Sequence, residues 1–248
     1  MSTIYILWLR QLKRYFRSKS RIIGSLGQPI LFLLALGYGL GPVFEKAGQG
    51  NYVNFMAPGV IAMSILFMAV FGGIEIIWDR QFGFLKETLV APVSRTNIMI
   101  GRTLGGATVA LLQGVIIFLI TLIAGFRPES LAGLPMAFFF MVLISILFTA
   151  LGTGIACTLE DMQAFPIIMN FLVMPLFFLS GALFPLNGLP GPIAVITRLD
   201  PLSYGVDGLR GALIGTIQFG YTTDIAVIVI VSAVLLMIGS WLFSRIQV

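Results

Sequence analysis

Ten carboxylates occur in the 248 residues, and Glu75 is the clearest one to fall inside a long apolar stretch, about one turn before Trp78 and Asp79. An ionisable group at membrane depth is a functional suspect by default. A proton-coupled carrier would use such a carboxylate. The competing reading is a carboxylate near the membrane interface, paired with Arg80 or Arg102 or reaching headgroup water. Its isolation and its place near the end of the stretch favour that second reading.

Other reactive chemistries lack their residues. The chain has no His, so His-based zinc sites and proton relays have no ligands, and no metal site is expected. Its one cysteine, Cys157, rules out an internal disulfide and is expected to pack as a small hydrophobe at the end of an apolar run. A phosphate-binding loop needs glycines to wrap the phosphates and a lysine, followed by Ser or Thr, to reach them. Of four lysines only Lys19 precedes a Ser or Thr, and no glycine stands before it in register. The chain is therefore not expected to be an enzyme, nor to bind ATP or Mg itself.

The elements that must position these residues are membrane helices. Hydrophobic residues make up 58% of the chain and charged ones 10%, against about 25% charged in a soluble domain. The mean hydropathy is +1.02, which leaves too few polar side chains to cover a water-facing surface. A helix needs about 20 apolar residues to cross the hydrocarbon core. Six stretches qualify: 22–44, 55–78, 104–126, 134–157, 167–184 and 225–243. They are longer than barrel strands and apolar all round, so the expected fold is all-α, one polytopic domain over 1–248.

The net charge of +5 is better explained by topology than by nucleic acid, which is not expected as a partner. With six spans, eleven of the fifteen Lys and Arg residues fall on the side that holds both termini. Basic loops stay cytoplasmic. The expectation is a multi-pass protein of the plasma (inner) membrane with both termini inside.

Residues 1–21 precede the first span. Ile4, Tyr5, Leu7, Trp8, Leu12, Tyr15 and Phe16 fall on one side of a helical wheel, with Arg10, Lys13, Arg14, Arg17 and Arg21 opposite. That pattern describes an interfacial helix in the headgroup plane. A signal peptide is the weaker reading, because the basic region is too long for one. Residues 185–224 are apolar in pieces too short to span and are broken by Gly188, Pro190, Gly191 and Pro192. A re-entrant helical segment fits that pattern; a surface loop with interfacial helices is the alternative. The Gly37/Gly41, Gly101/Gly105 and Gly211/Gly215 spacings would permit close helix approach, but 28 glycines produce such spacings by chance.

Two segments carry a resemblance. One is Asp79-Arg-Gln-Phe-Gly-Phe-Leu-Lys-Glu-Thr-Leu-Val-Ala-Pro-Val-Ser-Arg95, followed by Gly101-Arg-Thr. The other is Leu179-Ser-Gly-Ala-Leu-Phe-Pro-Leu-Asn-Gly-Leu-Pro190, continued by Leu199-Asp-Pro-Leu-Ser-Tyr-Gly-Val-Asp-Gly-Leu-Arg210. With the six-span layout, they make the chain resemble ABC-2 type exporter permeases, in the daunorubicin-resistance and nodulation-factor export group. The resemblance implies a permease homodimer with two copies of a separate ATPase, which binds the ATP and Mg. It implies export of a drug, glycolipid or saccharide. It also implies a coupling helix in loop 79–103 and a re-entrant pair near the outer face. The outer-gate candidates are then Phe184, Pro185, Leu189, Pro190, Pro201, Tyr204, Asp207 and Arg210.

For coupling, Phe82, Leu85 and Leu89 are spaced to share one face of a short helix that Pro92 ends. Phe84 joins that apolar anchor, and Arg80, Lys86, Glu87 and Arg95 supply a charged rim. Two other classes stay open at this point: an ion-coupled secondary carrier, and a membrane enzyme or scaffold without a transport role.

Overall fold

Apolar residues on every side of a helix leave it no stable surface in water, and the chain resolves this by packing long helices side by side. The computed structural model describes residues 3–46, 48, 50–84, 93–159, 161–186 and 190–245. Regular structure among them is helical: α1 (Thr3–Arg17), α2 (Lys19–Lys46), α3 (Tyr52–Phe71), α4 (Ile74–Gln81), α5 (Arg95–Ile123), a 3-10 turn (Leu131–Gly133), α6 (Leu134–Thr158), α7 (Ala164–Leu179), α8 (Gly191–Leu199), α9 (Pro201–Ile214) and α10 (Tyr221–Ser244).

Among the described residues, five stretches are long and apolar enough to cross a membrane: Lys19–Lys46, Tyr52–Gln81, Arg95–Ile123, Leu131–Thr158 and Tyr221–Ser244. The stretch expected as a fifth span, 167–184, folds differently. Its helix α7 has 16 residues, about 24 Å at 1.5 Å per residue, short of a ~30 Å hydrocarbon core. It stops at Ser180, where Gly181 takes a positive φ of 76°. The segment nevertheless reaches both ends of α3. The Phe165 ring lies 6.4 Å from that of Phe71, and beyond the Gly181 turn Tyr52 donates to the Leu183 carbonyl at 2.9 Å.

α3 is the core element, buried on nearly every face. It crosses α6 where α3 gives way to α4. A Cβ on Gly73 would strike the Gly152 carbonyl, and one on Gly152 would strike that of Val70. Backbone-to-backbone contact of this kind is how small residues hold membrane helices together without a hydrophobic driving force.

The helices begin where their caps say. Asn51 accepts from the Val53 amide at 2.9 Å to open α3, and Ser94 accepts from Asn97 at 3.3 Å to open α5. The Ser94 cap makes residues 95–103 the first turns of α5, so the expected 79–103 loop is shorter than its sequence pattern suggested. Asp200, with Pro201 at the first helical position, accepts from Leu202 at 2.8 Å to open α9. Gly215 closes α9 in the left-handed conformation, φ 68°. The Gly211/Gly215 spacing is thus part of a cap rather than a packing seam.

The α8–α9 pair starts and finishes at one end of the bundle. Leu186, just before it, packs on Gly181. At the far side of α9, the Glu129 amide donates to the Leu213 carbonyl at 2.9 Å. Between these ends α9 rises along α6, with Gly205 against Ile144 and Gly208 against Phe140. Ten residues of α6 separate Leu134 from Ile144, about 15 Å of axial depth.

Candidate functional site

Glu75 and Asp79 sit four residues apart on α4, so their carboxylates share one face and would repel if left alone. Both are almost fully buried, at 4% and 5% exposure. Four guanidiniums from three other helices converge on them. Arg10 of α1 donates to Asp79 at 2.8 Å, and Arg102 of α5 donates to its other oxygen at 2.6 Å. Arg21 of α2 donates to Glu75 at 2.6 Å. Arg14 of α1 lies between the two, 3.6 Å from Glu75 and 3.8 Å from Asp79.

This corrects the partners expected for Glu75. Arg102 goes to Asp79, and Arg80 donates to the Leu159 carbonyl at 3.3 Å instead. The reason is geometric: α4 turns its acidic face toward α1 and the start of α2, which sequence distance hides. A signal was present, since Arg10 and Arg14 are also four apart on an amphipathic helix.

The basic face of α1 is therefore engaged with protein rather than turned wholly to headgroups. Its apolar face is docked too. Gly101 and Gly105 of α5 admit α1 so closely that an added Cβ would lie 3.1 Å from the Ile4 backbone and 2.8 Å from Gln11 Cβ. Trp8 donates to Thr108 at 3.0 Å, and Tyr15 donates to Gln113 at 3.1 Å. Burial raises the Tyr15 hydroxyl above its ordinary pKa, with Arg21 opposing, so it stays a donor. The Gly101/Gly105 spacing, one of several in the sequence, is the seat of α1.

The loop after α4 emerges from this joint. Phe82 caps α4 and is 80% exposed, and Arg10 stacks 4.0 Å over the Phe84 ring. Phe82 thus stands at the C-terminal end of α4, and the rest of the expected short helix lies outside the described residues. Leu85, Lys86, Glu87 and Leu89 lie outside the described residues. Arg95 opens α5 and donates to the Ser244 carbonyl at 2.5 Å.

The opposite end holds the candidate gate residues. Arg210 donates to the Gly181 carbonyl at 2.8 Å and stacks 4.2 Å over Phe55, tying α9 to α3 and to the turn after α7. Asp207 accepts from the Gln218 and Phe219 amides at 2.9 and 2.7 Å. Tyr204 donates to the Arg198 carbonyl at 2.8 Å and packs on Phe219. Pro190 and Pro201 open α8 and α9. Phe184 and Pro185 are half-buried in the turn after α7, and Leu189 lies outside the described residues.

The family model for ABC-2 type transporters matches residues 2–214. The chain belongs to the ABC-2 type transporter family. Relatives of this family member include a protein named as a transport permease, ycf38, of Cyanophora paradoxa. It is 28% identical over 214 residues, 84% of this chain and 72% of that protein. Nodulation protein J of Rhizobium meliloti (strain 1021) is 28% identical over 199 residues, covering 79% and 74% of the two chains. Nodulation protein J of Rhizobium leguminosarum bv. viciae is 27% identical over 228 residues, covering 90% and 86%. The two carboxylates of the joint are committed to guanidiniums, which ties α4 to α1, α2 and α5.

Proposed function

We propose that this chain is the membrane permease subunit of an ATP-driven exporter, paired with a second copy of itself and driven by two copies of a separate ATPase that binds ATP and Mg. The observation that carries the reading is the joint. α1, α4 and the start of α5 are pinned together by Arg10, Asp79 and Arg102, and the loop that follows Phe82 leaves directly from it. A push on that loop from a soluble subunit would reach three helices at once. The basic residues gather at this end, which supports a cytoplasmic placement in the inner membrane.

Six crossings follow if α7, with the turn beyond it, completes a pass alongside α3, and its contacts with both ends of α3 support that. The α8–α9 pair then dips from the outer face and returns to it, roofing the pathway. Cargo would be amphipathic or lipid-linked: a drug, glycolipid or saccharide. A proton-coupled carrier is disfavoured by Glu75 being held by Arg21 at 2.6 Å.

The test is co-purification with an ABC ATPase encoded beside the gene, followed by hydrolysis and export assays in proteoliposomes. The expected result is no hydrolysis by the chain alone and cargo-stimulated hydrolysis by the complex. Export that persists without any ATPase, driven by an ion gradient, would overturn the reading.

A further inference from the structure

α2 and α3 do not close against each other along the half nearest the joint. A cleft of about 490 Å³ opens there, within the usual size of ligand sites. Its walls are apolar: Met63, Phe67 and Phe71 of α3, with Pro29 of α2 opposite. Arg21, Gly24 and Gln28 follow each other at helical spacing down the α2 side. Arg21 stands at the end where the joint begins, and Trp78 closes the floor.

Two features there are unbalanced. The first is charge. Four guanidiniums, Arg10, Arg14, Arg21 and Arg102, share the two carboxylates Glu75 and Asp79. Among the described residues, two positive charges at this end of the cleft go uncompensated. Burial of unpaired charge is costly. Arg21 lines the cleft and keeps partial exposure, and Arg14, also partly exposed, stands behind the cleft's Trp78. The second is a donor. The Trp78 indole N–H is buried and has no acceptor among the described residues, with Arg14 stacked 5.6 Å from its ring. A buried donor without a partner calls for one.

We propose that the α2–α3 cleft is a loading site for an anionic amphiphile drawn from the inner leaflet. Its apolar chain lies between Pro29 and Phe67, and its phosphate-type headgroup sits at Arg14 and Arg21, where the Trp78 N–H can reach it. This names the chemical class of cargo, or of an obligatory lipid, and it rests on the exporter reading for its direction. The headgroup lies against the residues that anchor α1, so an occupied site would be felt at the joint.

The test is quenching of tryptophan fluorescence in the purified full chain by lipids brominated on the acyl chain, with Trp78→Phe subtracted to isolate Trp78. Brominated phosphatidylglycerol should quench at a lipid fraction about fivefold lower than brominated phosphatidylcholine, the preference that one additional cation contact gives. Arg21→Gln should abolish the headgroup preference. Gly24→Leu should weaken quenching by both lipids, and it is sterically tolerated because an added Cβ at Gly24 meets nothing within 4 Å. Equal quenching by the two lipids would mean ordinary annular lipid and overturn the proposal, as would quenching that survives Gly24→Leu. Displacement by millimolar inorganic phosphate alone would reduce the site to an anion contact with no chain in the cleft, which also overturns it. No ATPase is present in this assay, so its failure and a failure of the exporter reading are read independently.

Discussion

Arg102 donates to Asp79 at 2.6 Å, and the pair joins residues 23 positions apart at the base of the loop between α4 and α5. The pair thus ties the last turn of α4 to α5 about 12 Å beyond the Ser94 cap. Arg10 on the other oxygen of Asp79 adds α1 to the clamp.

Asp79→Asn should loosen this point. Removing one partner of a buried pair costs about 3–5 kcal/mol, because the remaining charge stays buried. Thermal unfolding in detergent should show the loss, with α1 amides exchanging faster by hydrogen–deuterium exchange. Replacing Arg102 by Met in the same chain should recover part of the stability, since the stranded buried cation is then gone. No recovery would mean that Asp79 matters for some reason other than charge balance.

The seat of α1 gives a second prediction. Gly105→Leu must displace Gln11, whose Cγ and Cβ already lie 2.6 and 2.8 Å from where a Cβ would stand. Overpacking of this kind costs about 1–3 kcal/mol. Limited proteolysis should release an N-terminal fragment from Gly105→Leu. Gly39→Leu should remain intact, because an added Cβ there meets nothing within 4 Å. Equal resistance of the two variants would show that α1 is not held through this seam.

Much of the architecture is legible in the sequence because membrane helices need little more than length and apolarity. Five of the expected spans fold as long helices, four of them within a few residues of their anticipated positions. The misses have local causes. The Ser94 cap starts α5 nine residues before its apolar run, and Gly220, with φ 96°, lets α10 start at Tyr221 so that Asp224 falls inside it. The site was half legible. Glu75 stood out as a charge in a span, but its partners come from α1 and α2, 61 and 54 positions earlier. Charge pairs across helices follow from packing, which a linear pattern does not encode. Gly101/Gly105 had the correct spacing and no means of standing out among 28 glycines.

The topology is open to a direct check. With Cys157 replaced by Ala, single cysteines at Leu131 and Thr216 should react with a membrane-impermeant maleimide from outside intact cells, and cysteines at Lys13 and Ser94 should not. All four positions are exposed. The Glu129–Leu213 hydrogen bond puts the loops of Leu131 and Thr216 together at one end. Labelling of Leu131 without Thr216 would mean that α7 does not complete a crossing.

The last prediction concerns where the motor touches. On the exporter reading, force from ATP has to enter through a segment that reaches the aqueous side, and the helices that flank the loop between α4 and α5 are tied together by Asp79 and Arg102. Phe82 stands out at 80% exposure immediately after α4. A large aromatic side chain this exposed is the kind of residue that anchors an interface, and losing such an anchor costs about 2 kcal/mol or more, about thirtyfold in affinity. Because Phe82 buries little in the chain itself, Phe82→Asp should leave insertion and thermal stability close to those of the parent. It should cut capture of the partner ATPase by at least about thirtyfold and remove cargo-stimulated hydrolysis. Leu85→Asp and Leu89→Asp, further along the same loop, should behave alike. Thr216→Asp at the opposite end is exposed as well and should leave capture unchanged. If Phe82→Asp, Leu85→Asp and Leu89→Asp all retain full coupling, the contact lies on the outer surface of α1, where Ile6 and Phe16 are the exposed alternatives.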